Sequence, residues 1–109
     1  MFAVKDTAGN ELKISFSHDP VGMSTGCILE YCGFRLHVYT RVHPNDAYQR
    51  DLGRKEALRK MLKDFCTIDI ANQFNVYTAR ALRRLLWDAY FRKQDNDRLI
   101  SQIQRDSLK

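Results

Sequence analysis

The first part of the chain alternates. Leu12, Ile14 and Phe16 are interleaved with Glu11, Lys13, Ser15 and Ser17, so an extended segment over 11–17 turns one apolar face to a core and one polar face to water. The same period of two runs from Phe34 to Val42: Phe34, Leu36, Val38, Thr40 and Val42 share one face, and Arg35, His37, Tyr39, Arg41 and His43 share the other. Two shorter segments, Phe2 to Lys5 and Cys27 to Tyr31, join these through the turn formers Thr7-Ala8-Gly9-Asn10 and Cys32-Gly33, which predicts two hairpins. His18-Asp19-Pro20-Val21-Gly22 reads as the loop between the hairpins, because proline removes a ladder donor and glycine loosens the backbone. Such a sheet has one apolar face that needs a cover.

The cover comes from the second half, where the period changes. At 100° per residue Leu58, Met61, Leu62 and Phe65 fall on one helical face with Asp51 and Arg54, whereas Tyr48 and Leu52 point about 110° away. A single helix through Asn45 to Phe65 therefore conflicts with its own pattern. Gly53, at a cost of about 1 kcal/mol inside a helix, marks the expected break. The reading is a turn or loop over Asn45 to Leu52 and a packed helix over Arg54 to Phe65, whose four large apolar residues contribute roughly 6–12 kcal/mol on burial, before entropy. Cys66 to Asn75 has no clear period, and Thr67 to Ile70 is either a short strand or a connection. Asn75 or Thr78 caps the next helix, which runs to about Lys93 with Leu82, Leu85, Leu86 and Ala89 as its core stripe. Gln94-Asp95-Asn96-Asp97 is the expected break before a last helix, capped by Asn96, with Leu99, Ile100 and Ile103 on one side. The fold class is α+β: a small antiparallel sheet of two hairpins in the N-terminal half, covered by two to three helices from the C-terminal half, in a single domain over 1–109.

Composition narrows the class. With 44% hydrophobic and 28% charged residues the chain is that of an ordinary globular protein. No apolar run approaches the roughly 20 residues of a membrane helix, and no basic region leads into an apolar core at the N-terminus, so a cytoplasmic location is the expectation. Three cysteines, Cys27, Cys32 and Cys66, cannot all pair within one chain and form no C-x-x-C, which reads as free, mostly buried thiols. The net charge of +5 is one-sided. Residues 1–43 carry four basic and four acidic side chains, and residues 44–109 carry fourteen and nine. The second half is thus suited to nucleic acid or to an acidic protein surface, unless these charges only solvate helix faces.

Two clusters carry the candidate chemistry. Around the helix that follows Thr78, Arg80, Arg83, Arg84, Trp87 and Phe91 fall within about 100° on the side away from the core stripe. Tryptophan and arginine lose little entropy per contact and dominate interaction hot spots, so this is the expected partner-binding face. The competing structural reading buries it under the last helix. Arg50, Arg54, Lys55, Arg59 and Lys63 form the second cluster, a candidate anion or nucleic-acid contact. Backbone N–H groups after Gly53 would hold a phosphate or carboxylate there, although a glycine required for close helix-to-sheet packing explains the same letters better. Catalysis has little support. His37 and His43 lie roughly 20 Å apart along an extended strand, too far to share a metal. His18-Asp19 lacks a nucleophile at readable spacing. No catalytic residue, metal or cofactor is expected.

The segment from Thr40 to Leu58 also resembles a motif of small phage-encoded accessory proteins: a strand, an Asp-x-aromatic-x-Arg loop at Asp46-Ala47-Tyr48-Gln49-Arg50, then Gly53-Arg54-Lys55-Glu56-Ala57-Leu58 opening a helix. It covers about a fifth of the chain, and departs from the pattern with Tyr48 in place of phenylalanine. What the resemblance implies is a non-enzymatic phage protein that binds and modulates a host protein or nucleoprotein complex, such as a CRISPR effector, in the manner of anti-CRISPR and other anti-defence inhibitors. The residues alone leave two alternatives open, a small basic nucleic-acid-binding module and an architectural homodimer.

Overall fold

The computed structural model of the chain describes residues 1–19, 21–41 and 50–107, with side chains through Asp95. Four strands, β1 (Phe2–Lys5), β2 (Glu11–Asp19), β3 (Ser24–Tyr31) and β4 (Phe34–Arg41), precede three helices, α1 (Arg50–Phe65), α2 (Ile68–Gln73) and α3 (Ala79–Ser107). The strands pair in chain order, each antiparallel to the next. The expected α+β class is what the chain adopts, an antiparallel sheet first and helices after it.

The sheet is one meander rather than two separate hairpins. Eight residue pairs join β2 to β3, from Leu12↔Tyr31 to Asp19↔Ser24. His18 and Asp19, expected in a loop, therefore lie in β2, and β3 begins three residues earlier than the apolar run at Cys27 suggests. The turn itself is confined to 21–23, where Met23 takes a φ of 53° and the Asp19 carboxylate accepts the Gly22 N–H at 3.0 Å. Pro20, with Val42 and His43, lies outside the described residues. Between β3 and β4 the two-residue link Cys32-Gly33 has positive φ at both positions, 50° and 77°, the primed turn whose twist suits a tight hairpin.

The alternation places Phe2, Leu12, Ile14, Cys27, Leu29 and Tyr31 in one core with Leu58, Met61, Leu62 and Phe65 of α1 and Leu82, Leu86 and Tyr90 of α3. α1 lies over β3 and β4, and α3 over β1. Three local expectations need correction. Gly53 does not end a helix. It sits buried inside α1, where a Cβ would fall against Thr25 Oγ1, so its role is the close approach of helix to sheet. Helix α1 thus begins at Arg50, and Asn45 to Gln49, the rest of the expected loop, lie outside the described residues. Thr67 to Ile70 is neither a strand nor a plain connection: Thr67 caps α2, its hydroxyl accepting the Ile70 N–H at 3.3 Å. Finally, α3 is continuous through Gln94 to Asp97. That stretch holds no glycine or proline, and cap-forming side chains end a helix only where tertiary packing turns the backbone away.

At its start α3 follows the sequence reading. The Thr78 hydroxyl accepts the Ala81 N–H at 3.0 Å and its carbonyl accepts the Leu82 N–H at 3.1 Å.

Candidate functional site

Helices α1 and α3 lie side by side on the same sheet face, and two contacts give their sense. Lys55 Nζ stands 5.8 Å from the centre of the Phe91 ring, and Arg83 lies close enough to Cys66 to oppose the burial that pushes its thiol up to about 11. Early α1 thus meets late α3, and late α1 meets early α3, so the helices run antiparallel.

This arrangement puts the α3 cluster beside part of the α1 cluster, with Lys55 against Phe91 as the point of contact. From α3 come Arg80 and Arg84, both exposed, the half-buried Arg83, and the pair Trp87 and Phe91, stacked with ring centres 5.8 Å apart and planes 23° apart. From α1 come Lys55 and Lys63, exposed, and Arg59, whose guanidinium binds Glu56 three residues back at 2.9 Å. Trp87 is not simply an exposed ring. It is half-buried against the core, edge-on to Tyr90 at 5.9 Å and 89°. Tyr90 in turn meets Phe2 and Phe16 at 6.0 and 5.9 Å. The last residues cannot fold back over Trp87, because they continue the same helix. Residue 100 stands about 20 Å further along the axis.

Arg50 and Arg54 separate from this surface. Arg54 Nε donates to His18 Nε2 at 3.0 Å, and its other end faces Asp51 at 3.8 Å. For that bond His18 must be neutral with its proton on Nδ1. Burial first, then the charges of Arg54 and Arg50, hold its pKa below the usual histidine value. Arg54 is therefore committed to tying α1 to β2, and a cavity of about 230 Å³ beside it is lined by Phe16, His18, Tyr90 and Lys93 among others. The anion cradle, the weaker of the two readings of Gly53, is not formed: with α1 starting at Arg50, the N–H groups of 54 and 55 bond within the helix.

A network that the sequence pattern did not reveal closes the opposite end of the sheet. The Tyr31 hydroxyl lies 2.5 Å from both Asp6 Oδ2 and Gln73 Oε1. One hydroxyl proton serves one acceptor, so the carboxylate takes it and the Gln73 amide is best assigned with its NH₂ toward the hydroxyl. Asp6 also accepts the Ala8 and Asn10 N–H groups at 2.9 and 2.8 Å, and the Tyr31 bond is the main reason its pKa falls. Thr7 bonds the Gln73 carbonyl twice, through N–H and hydroxyl. The signal available in sequence was only Asp6 before a Gly-Asn turn.

Cys27 and Cys66 are buried and Cys32 exposed, all unpaired, and burial pushes the Cys27 thiol up to about 12. Among the described residues no three of His, Cys, Asp and Glu stand close enough to hold a metal, and no helix is long and apolar enough to cross a membrane. Comparison with protein families, curated proteins and solved structures finds no match to this chain.

Proposed function

We propose that this protein is a non-catalytic binding protein that docks on an acidic surface of a partner protein or nucleoprotein complex through the outer side of α1 and α3. The observation that supports the reading is the Lys55 to Phe91 contact, which joins a cation of α1 to the stacked aromatic pair of α3. Phe91 remains 42% exposed with Trp87 stacked on it and the Lys55 cation beside it, and further exposed cations lie along both helices, the composition of a hot spot with a charged rim. A host-directed role of the anti-defence kind rests on the resemblance of the Thr40 to Leu58 segment alone.

The nucleic-acid reading of this same face is weaker. Phe91 already has Trp87 stacked on it and Lys55 over it, which leaves little free ring for a base, and Arg54 is engaged with His18. Phosphate pairing by the remaining cations would show as a steep loss of affinity with salt, whereas a mainly apolar protein contact would not.

The test uses Arg84→Glu with Phe91→Ala, because both side chains are exposed and Trp87 is not. Affinity capture from bacterial lysate, followed by mass spectrometry, should retain a specific partner with the wild-type chain and lose it with the double variant, while the melting temperature changes little. An unchanged set of captured proteins would refute the assignment of this face.

A further inference from the structure

The face of the sheet turned away from the helices carries a second, independent feature. Residues Arg35, His37, Tyr39 and Arg41 form one column along β4, and beside them in β3 stand Glu30, Ile28, Gly26 and Ser24 by register. The next strand offers Lys13, Ser15, Ser17 and Asp19. The middle of this face is therefore floored by Gly26, Ser15 and Ser17 beside Ile28.

Gly26 explains what that floor is for. A Cβ there would stand 2.5 Å from Ser17 Oγ, 2.9 Å from His37 Nε2 and 3.4 Å from Tyr39 Cε1. The glycine lets both rings lean inward over the sheet. They meet with centres 4.2 Å apart and planes 36° apart, Tyr39 Oη standing 3.3 Å from His37 Nδ1. His37 takes one side of the Tyr39 ring, yet Tyr39 remains 61% exposed. Arg35 and Arg41 flank the pair, about 20 Å apart along the strand. Lys60 of α1 adds a cation at the strand's edge, its Nζ donating to the Tyr39 carbonyl at 3.4 Å. The nearby acids are partly committed: Glu11 pairs with Lys13 at 3.6 Å, and Asp19 holds its own turn, leaving Glu30 opposite Arg35.

We propose that this open sheet face binds a single-stranded nucleic acid, with a base stacked on Tyr39 and backbone phosphates further along the strand on either side paired with Arg35 and Arg41. An exposed aromatic ring leaning over a pleated surface between two guanidiniums is suited to an unstacked base and its backbone, and a duplex hides the ring faces such a site needs. The inference does not depend on the helix-face reading. If both hold, the chain grips a nucleoprotein complex by its protein on one side and its strand on the other.

Fluorescence anisotropy of the full chain with labelled oligothymidylate, oligouridylate and a duplex at low salt tests this. Either single strand should bind more tightly than the duplex, and the better of the two identifies DNA or RNA as the source. Tyr39→Ala should weaken binding about five- to 150-fold, the range of one lost base stack. Tyr39→Phe should retain it. With two phosphates paired, log affinity should fall against log salt with a slope of about −1.4. Arg84→Glu, on the opposite side of the molecule, should leave it unchanged, which separates this outcome from the fate of the helix-face proposal. Circular dichroism confirms that each variant folds. Equal binding of the duplex, no binding to either strand, or full affinity in Tyr39→Ala would overturn the proposal.

Discussion

At the scale of single residues, Gly53 makes a prediction of unusual sign. In an unconstrained helix interior glycine to alanine gains about 1 kcal/mol. Here the new Cβ meets the hydroxyl of Thr25, which is 1% exposed and makes no hydrogen bond among the described residues. Gly53→Ala should therefore destabilise the chain, by about 1–3 kcal/mol as overpacking does, measured by denaturant midpoint. Thr25→Ala in the same chain should restore part of that loss but not all, since the Cβ of residue 25 remains 3.1 Å from the added one. Tyr31 offers a second case. Tyr31→Phe keeps the ring packed against Phe65 and Phe74 but removes the bond to Asp6. Because the folded protein holds the Asp6 pKa below 3.8, its carboxylate contributes stability at neutral pH that is lost as pH falls through the lowered value. The variant should melt lower than the wild type at pH 7, and the gap should narrow in strong acid. Neither contact was legible in the letters, for they join residues 28 and 25 positions apart, while a sequence pattern reports only on neighbours. Gly53 was read at once as a packing glycine and as a helix break. Both come from the missing side chain, and the partner surface decided between them.

At the scale of elements, α1 is held to the end of β2 by Arg54 and His18, and this makes its docking sensitive to pH. Protonating His18 removes the lone pair that accepts from Arg54 and sets two cations 3.0 Å apart. The folded pKa lies below 6.5, so stability is full above that value and declines as pH falls below it, where the unfolded chain takes up the proton first. Denaturant midpoints should change little from about pH 7 to 8, below the range where unfolding would let Cys27 and Cys66 ionise, and decline from about pH 6.5 to 5. A His18→Gln chain should lose much of that decline, and an unchanged slope would assign it to other groups. The strands were the most readable elements: alternation over 11–17 gives the buried positions Leu12 and Ile14, whereas over 34–41 it gives only a half-buried side at Leu36, Val38 and Thr40, and Phe34, expected in the core, is exposed at the end of the edge strand. Their ends were not. The β2–β3 ladder continues over His18 and Asp19 because pairing with Thr25 and Ser24 outweighs their local preference for a turn. Likewise α2, at six residues, is too short to show a period. In α3 the polar run at Gln94 to Asp97 looked like a cap, and only the course of the backbone separates a cap from an exposed helix turn.

At the scale of the whole molecule, the two candidate surfaces lie on opposite sides of one shared core. Helix α1 covers β3 and β4, whereas the far edge of the sheet depends on α3, whose Leu82, Leu86 and Tyr90 seal Phe2 and, through the Tyr90 ring, Phe16. A chain ending at Thr78 would keep every strand but leave those rings in water, with the loss of three large buried side chains worth roughly 5–9 kcal/mol. That is comparable with the whole stability of a domain of this size. Such a truncated chain should lack near-ultraviolet circular dichroism and dispersed amide resonances, even though α1, α2 and the sheet residues are all present. A folded fragment would show instead that α1 alone closes the core. The result bears on both surfaces. The rings of Tyr39 and His37 rest on a strand that α1 covers from behind, over the core that α3 completes at the other edge, and Phe91 takes its position from a helix seated by Leu86 and Tyr90. Exposed substitutions such as Tyr39→Ala and Arg84→Glu lie on opposite sides of the sheet, so their effects on stability should add within about 0.5 kcal/mol. A shortfall from additivity, measured by the double variant's midpoint, would reveal the two faces as coupled through that core.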